Sequence, residues 1–167
     1  MIERIKLPME KCREEAVAPT YANDGDAGMD LYSCEDILVK PGCSVLVPTG
    51  LKMAIPYGYE VQIRPRSGIS LKTPLRVPNS PGTIDCGYRD EVNVIIYNAS
   101  QREDASEDAP FTLNDKGCKH GTYLIKKGDR IAQMVVNKVE YADIEFVDNV
   151  KAIGEDRGGG FGHSGIS

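Results

Sequence analysis

Short apolar or alternating runs, nearly all closed by a Gly or Pro turn, constrain this chain more than any other feature of its sequence. The runs are Met29–Ser33, Ser44–Val47, Leu51–Ile55, Tyr59–Arg64, Glu91–Asn98, Thr122–Ile125 and Ile131–Val139, with Pro41-Gly42, Pro48-Thr49-Gly50 and Pro56-Tyr57-Gly58 between several of them. Most are too short for a stable helix, but they match the usual length of a strand. Together they predict an all-β fold, a sandwich or barrel of jelly-roll type. Aromatics make up only 7% of the residues and Trp is absent, so the core must rest on Val, Ile and Leu, which suits strands. One short helix is expected after Arg66, with Ser67 capping Gly68–Lys72 and Pro74 ending it. No fixed-period repeat is present, which excludes a solenoid or propeller.

A chain of 167 residues fits one domain. We place a β domain at residues 1–155 and a flexible Gly-rich tail at 156–167. Within the domain the connection 98–121 is long, and its acidic part, Gln101–Asp108, is expected to be a solvated or mobile loop. The odd set Cys12, Cys34, Cys43, Cys86 and Cys118 has no close pair at metal-ligand spacing and reads as reduced intracellular thiols. No apolar stretch is long enough to cross a bilayer and no signal core is visible, so a soluble cytoplasmic protein is expected. With a net charge of -5, stable nucleic-acid binding is not expected, and any polyanionic ligand must be held locally.

The segment Pro78–Val92, Pro-Asn-Ser-Pro-Gly-Thr-Ile-Asp-Cys-Gly-Tyr-Arg-Asp-Glu-Val, carries the densest functional signal. Its prolines stiffen a turn around Asn79 and Ser80, Gly82 allows close backbone approach to a ligand, and Asp85 follows on extended chain with Tyr88 just beyond. Alone, this is also the description of an ordinary tight hairpin. Four further segments accompany it: Ala27-Gly28-Met29-Asp30-Leu31, Arg64-Pro65-Arg66-Ser67-Gly68, Gly128-Asp129-Arg130-Ile131-Ala132-Gln133, and Arg157-Gly158-Gly159-Gly160-Phe161-Gly162.

Taken in this order, the five segments resemble the motif set of the homotrimeric dUTP diphosphatases (dUTPases) from about Asp26 to Gly165. The resemblance implies hydrolysis of dUTP to dUMP and diphosphate, which limits uracil incorporation into DNA and supplies dUMP for dTMP synthesis. It also implies a homotrimer with shared active sites. By the same resemblance Asp85 is the general base for the attacking water, and Tyr88 packs on the deoxyribose, leaving no room for a 2'-hydroxyl. Asn79, Gly82, Thr83 and Ile84 line the uracil pocket, largely through main-chain groups. Arg66, Ser67, Gly68 and Gln133 meet the phosphates. Arg157 reaches the γ-phosphate, while Phe161, with Gly162 beside it, stacks on the uracil as the tail closes. Mg²⁺ is expected on the substrate phosphates, with no direct protein ligand and Asp30 reaching it through water. Arg64 is equally suited to a subunit contact, and Asp129 and Arg130 read as a structural pair at a turn.

Two departures from the family pattern stand out. Asp90 occupies a position usually held by Gly, where a left-handed backbone is expected, and the Arg157 to Phe161 spacing is one residue short. Two other functions compete. A dCTP deaminase of the same fold would need a Glu to activate water, for which Glu91 is the nearest candidate. A nucleotide-switched regulatory protein would use the 98–121 insertion to bind a protein partner.

Overall fold

The computed structural model describes residues 4–156 and 158. Over these residues the chain is almost entirely β. The strands are β1 (Met9–Lys11), β2 (Thr20–Tyr21), β3 (Met29–Tyr32), β4 (Ile37–Val39), β5 (Ser44–Pro48), β6 (Leu51–Met53) and β7 (Tyr59–Arg64), followed by a short α-helix, α1 (Ser67–Lys72). After it come β8 (Leu75–Arg76), β9 (Gly82–Ile84), β10 (Asn93–Asn98), β11 (Phe111–Thr112), β12 (Tyr123–Ile125) and β13 (Arg130–Lys138). The largest sheet has the order β2-β3-β13-β7-β9; smaller ones run β5-β10-β8, β11-β12-β4 and β1-β6. Every pairing is antiparallel except β11 with β12.

The alternation that predicted strands also determines which side chains enter the core. In β7, Val61 and Ile63 are buried between half-exposed Glu60, Gln62 and Arg64; in β10, Val94 and Ile96 are buried between Asn93, Ile95 and Tyr97. These residues join Leu31, Val39, Val47, Leu51, Leu75, Tyr123, Ile131 and Met134 in one cluster drawn from all four sheets. A single aliphatic core closed by antiparallel sheets is the jelly-roll-like arrangement expected. No helix among the described residues is long and apolar enough to span a membrane.

The structure corrects two local expectations, at Ser67 and Asp90, and adds detail to a third, the solvated loop at Gln101–Asp108. Ser67 is the first residue of α1 rather than its cap; Arg66 holds the cap position, and no side chain bonds the helix start there. Asp90 does not adopt a left-handed backbone, because among the described residues only glycines have positive φ. The Gln101–Asp108 stretch is exposed except at Ala105, and it is tied to the body of the fold. The Ala105 carbonyl accepts the Thr122 amide at 2.8 Å, and the Asp104 amide bonds the His120 carbonyl at 3.0 Å. Asn98, fully buried, anchors both ends of the connection: its Nδ2 donates to the carbonyls of Val39 and Gly121, each at 2.8 Å, and its Oδ1 accepts from Ser100.

Candidate active site

The predicted residues that fall within the described chain gather at two separate places. The first is a cleft of about 210 Å³ between β9 and the outward face of β10, lined by Asn79, Gly82, Thr83, Ile84, Asp85 and Tyr88, with Ile63, Val92, Asn93 and Ile95 completing its walls. β9 is the last strand of its sheet, so one edge pairs with β7 while the other keeps main-chain donors and acceptors unused by the ladder. Gly82 sits in the floor, where a Cβ would come within 3.0 Å of Asn79 Nδ2. Just beyond the strand the chain turns, the Tyr88 amide bonding the Asp85 carbonyl at 3.1 Å, and this leaves the Asp85 carboxylate exposed at the cleft rim. The Tyr88 hydroxyl donates to the Glu91 carbonyl at 2.9 Å, which orients the ring across the mouth.

The second place is a polar hollow of about 330 Å³ lined by Ala22, Asp26, Ala27, Gly28, Asp30, Arg66, Ser67, Gly68 and Gln133. Its assembly follows from strand register. β13 lies between β3 and β7, and Gln133 stands opposite Asp30 on one side and Arg64 on the other, so segments distant in sequence converge at a single row. Asp30 holds two guanidinium groups, Arg66 Nε at 2.8 Å and Arg130 Nη1 at 3.2 Å, and Arg66 also reaches the Arg130 carbonyl at 3.4 Å. Arg66 is thereby fixed at the entrance to α1. Gln133 Nε2 donates to the Pro65 carbonyl at 2.9 Å, and its Oε1 packs so closely on Gly28 that no Cβ fits between them.

No residue lines both places. The general-base candidate and the phosphate-binding candidates therefore do not share one cavity within a single chain. Arg130 pairs with Asp30 rather than with its neighbour Asp129, whose carboxylate instead accepts the Lys126 amide at 2.8 Å. Arg64 donates to Gln62 Oε1 and lies outside both lining sets. The Glu91 carboxylate is taken up by Arg13 and by the Gly50 amide and does not line the cleft, so it is not placed to activate water at a bound base. Among the described residues no group of three His, Cys, Asp or Glu side chains converges to hold a metal. Arg157, Phe161 and Gly162, expected at the γ-phosphate and the uracil, lie outside the described residues.

The sequence did not mark Ile63, Val92, Asn93 and Ile95 in the cleft, or Ala22, Asp26, Ala27 and Gly28 in the hollow, as site residues. The outward positions of β10 were readable from its alternation, but their approach to β9 depends on how two sheets meet. Asp26 closes a local turn back onto Asn23, its amide bonding the Asn23 carbonyl at 3.3 Å and its carboxylate accepting the Asn23 amide at 2.8 Å.

A family model described as dUTPase matches residues 14–104 and 118–165. The chain belongs to the dUTPase family. It is 41% identical to the deoxyuridine 5'-triphosphate nucleotidohydrolase of Solibacter usitatus, covering 99% of each chain. To the protein of the same name from Syntrophotalea carbinolica it is 38% identical, over 99% of this chain and 100% of the relative. Among solved structures it is similar to a mutant dUTPase of Staphylococcus bacteriophage 80alpha with dUpNHpp, with TM-score 0.84 and 28% identity over 96% of this chain and 99% of that one. A mutant dUTPase from phage phi11 of S. aureus, described for its coordination of a structural Mg(II) ion, gives TM-score 0.78 and 27% identity over 88% and 99%. The family match skips residues 105–117, inside the 98–121 connection.

Proposed function

We propose that the chain hydrolyses dUTP to dUMP and diphosphate in active sites shared between copies of a homotrimer. The observation that carries this reading is the separation of the two half-sites: the cleft has a carboxylate and a base-sized pocket, while the hollow has the cations, and neither can perform the reaction alone. Joining the cleft of one copy to the hollow of another supplies both. The 139–156 segment fits such an assembly, because Tyr141, Ile144, Phe146, Val150 and Ile153 are exposed on their own chain, Phe146 at 97%. Apolar groups laid out in a row along an unburied segment favour a protein surface over water.

The chemistry follows from the residues. The free edge of β9 and Asn79 take the donor and acceptor edge of uracil, and the narrow floor at Gly82 leaves little space for a 5-methyl group. Tyr88, held by its hydroxyl, packs on the sugar where a 2'-hydroxyl would stand. Asp85 takes the proton of a water attacking the α-phosphorus, a contribution of about 10²- to 10⁴-fold in rate. Arg66, the Ser67 hydroxyl and the α1 amides bear the charge that develops on the diphosphate leaving group. Asp30 keeps Arg66 aimed rather than binding substrate itself. From the tail, Arg157 adds a cation at the γ-phosphate and Phe161 covers the base, with Gly162 giving the backbone room.

Mg²⁺ fits this site only as a companion of the substrate. Both Asp30 oxygens are engaged by arginines, and the described residues form no cage, as suits an ion that keeps waters and leans on phosphates. When bound it neutralises triphosphate charge. The 98–121 connection, part of which the family match skips, is a surface for a protein partner additional to this activity.

Product analysis with dUTP, dTTP, dCTP and UTP, with and without Mg²⁺, tests the reading. Release of dUMP and diphosphate from dUTP in strong preference to the others is expected. Ammonia release from dCTP, or absence of dUTP turnover, would contradict it.

A further inference from the structure

We propose that Arg13, just before the family match begins, is a positioning residue for sugar discrimination, acting on Tyr88 through Glu91. The connection is continuous. Arg13 grips the Glu91 carboxylate with a two-pronged contact, Nε to Oε1 at 2.8 Å and Nη2 to Oε2 at 2.8 Å. The same Oε1 accepts the Gly50 amide at 2.9 Å, so the carboxylate is held from two sides. With its side chain fixed, Glu91 presents its main-chain carbonyl to the cleft rim, where it accepts the Tyr88 hydroxyl at 2.9 Å and Asn93 Nδ2 at 3.0 Å. Tyr88 and Asn93 both line the cleft, whereas Arg13 and Glu91 do not.

The strap bearing Arg13 is itself docked. The Cys12 amide bonds the Gly50 carbonyl at 2.8 Å, and Ala16 is buried against Gly50, so the guanidinium starts from a fixed base. A planar fork locked onto a carboxylate transmits position better than a single flexible charge. Tyr88 is 39% exposed and belongs neither to the core cluster nor to the side chains packed against it, so its hydroxyl bond is the restraint on the ring angle that the structure shows. A sugar wall works sterically only if it cannot swing aside. Releasing Glu91 lets the ring yield to a 2'-hydroxyl, and the loss appears as admission of UTP rather than as general inactivity.

The inference rests on the functional reading above, and one experiment separates the two. The ratio of kcat/KM for dUTP to that for UTP is measured in the wild type, Arg13→Met, Arg13→Lys, Glu35→Gln, Tyr88→Phe and the Arg13→Met/Tyr88→Phe double variant. Glu35→Gln controls for the longer contact of Arg13 Nη1 with Glu35, 3.5 Å, and should leave the ratio unchanged. Arg13→Met is expected to lower the ratio about 3- to 10-fold, the scale of a weakened steric and hydrogen-bonded selection, with Arg13→Lys in between. In the Tyr88→Phe background, which already lacks the hydroxyl bond, Arg13→Met should change the ratio by less than about 1.5-fold, because residues acting through one contact are not additive. Arg13→Lys keeps the charge and covers the case in which Arg13→Met does not fold. An unchanged ratio in the folded Arg13 variants, equal losses for dUTP and UTP, or an undiminished effect without the Tyr88 hydroxyl overturns the proposal. A wild type that does not prefer dUTP overturns the functional reading first, before any substitution is made.

Discussion

Replacing Gly28 with Ala should expose how the polar hollow is built. A Cβ at position 28 would occupy the place of Gln133 Oε1 and stand 3.2 Å from its Cδ. The obstacle is the far end of a flexible side chain, so the fold survives and Gln133 moves. Moving it breaks the Nε2 bond to the Pro65 carbonyl, a loss of about 0.5–1.5 kcal/mol. It also drives the side chain toward a poorer rotamer, which costs about 0.5–1.5 kcal/mol more. The expected destabilisation is therefore about 1–3 kcal/mol, read from urea unfolding at one fixed protein concentration because association contributes to apparent stability. Turnover of dUTP should fall as well, since Gln133 leaves the hollow. The decisive comparison uses Gln133→Ala, which removes both the obstacle and the bond. In that background Gly28→Ala should cost no more than about 0.5 kcal/mol, leaving a coupling of about 0.5–3 kcal/mol between the two positions. An undiminished cost, or wild-type stability and turnover in Gly28→Ala, would refute the reasoning.

Gly121→Ala should be harsher, because its φ of +152° disfavours a side chain and the added Cβ would meet the Ala105 backbone nitrogen at 2.6 Å; a loss of about 2 kcal/mol or more is expected in thermal or urea unfolding, and a neutral result would mean that the 98–121 connection is not docked as described. Burial, reinforced by Cys118 and Asp115, pushes the Tyr123 phenol up to about 12 from an ordinary value of 10.0. Its raised folded-state value means that this stability is fully present below about pH 10 and is lost as pH rises toward 12, a change of order 2–3 kcal/mol that Tyr123→Phe should abolish in unfolding measured across that window.

The strands that could be read in the sequence were those whose side chains alternate over several residues. β7 begins and ends at Tyr59 and Arg64 as its pattern predicts, and β10 shows the predicted alternation although it starts at Asn93 rather than Glu91. β1, β2, β8, β9 and β11 have two or three residues each, too few to show a period, and exist because a partner strand is present to pair with. Ser67 carried a cap signal that the backbone did not use, since Arg66 enters the helix from an extended conformation without a side-chain bond. At the candidate site, the motif segments and the family resemblance marked Asp85, Tyr88 and Arg66, but not what restrains them. Asp30 meets Arg66 and Arg130 through the central position of β13, and Arg13 meets Glu91 across 78 positions of sequence. Such contacts have no local signature. The separation of the cleft from the hollow was equally invisible, because it depends on which edges of the sheet each motif reaches.

Subunit complementation tests shared catalysis most directly. On the proposed shared site, Asp85→Asn chains would lack the base and Arg66→Ala chains the cation, so each single-variant assembly should be nearly inactive towards dUTP. After equal mixing and proven subunit exchange, a site that takes its cleft from one copy and its hollow from the next is intact in about a quarter of cases in a cyclic trimer. Recovery to about that fraction of wild-type turnover is the predicted result. No recovery, with exchange demonstrated, would mean that each chain completes its own active site and would contradict the shared-site reading.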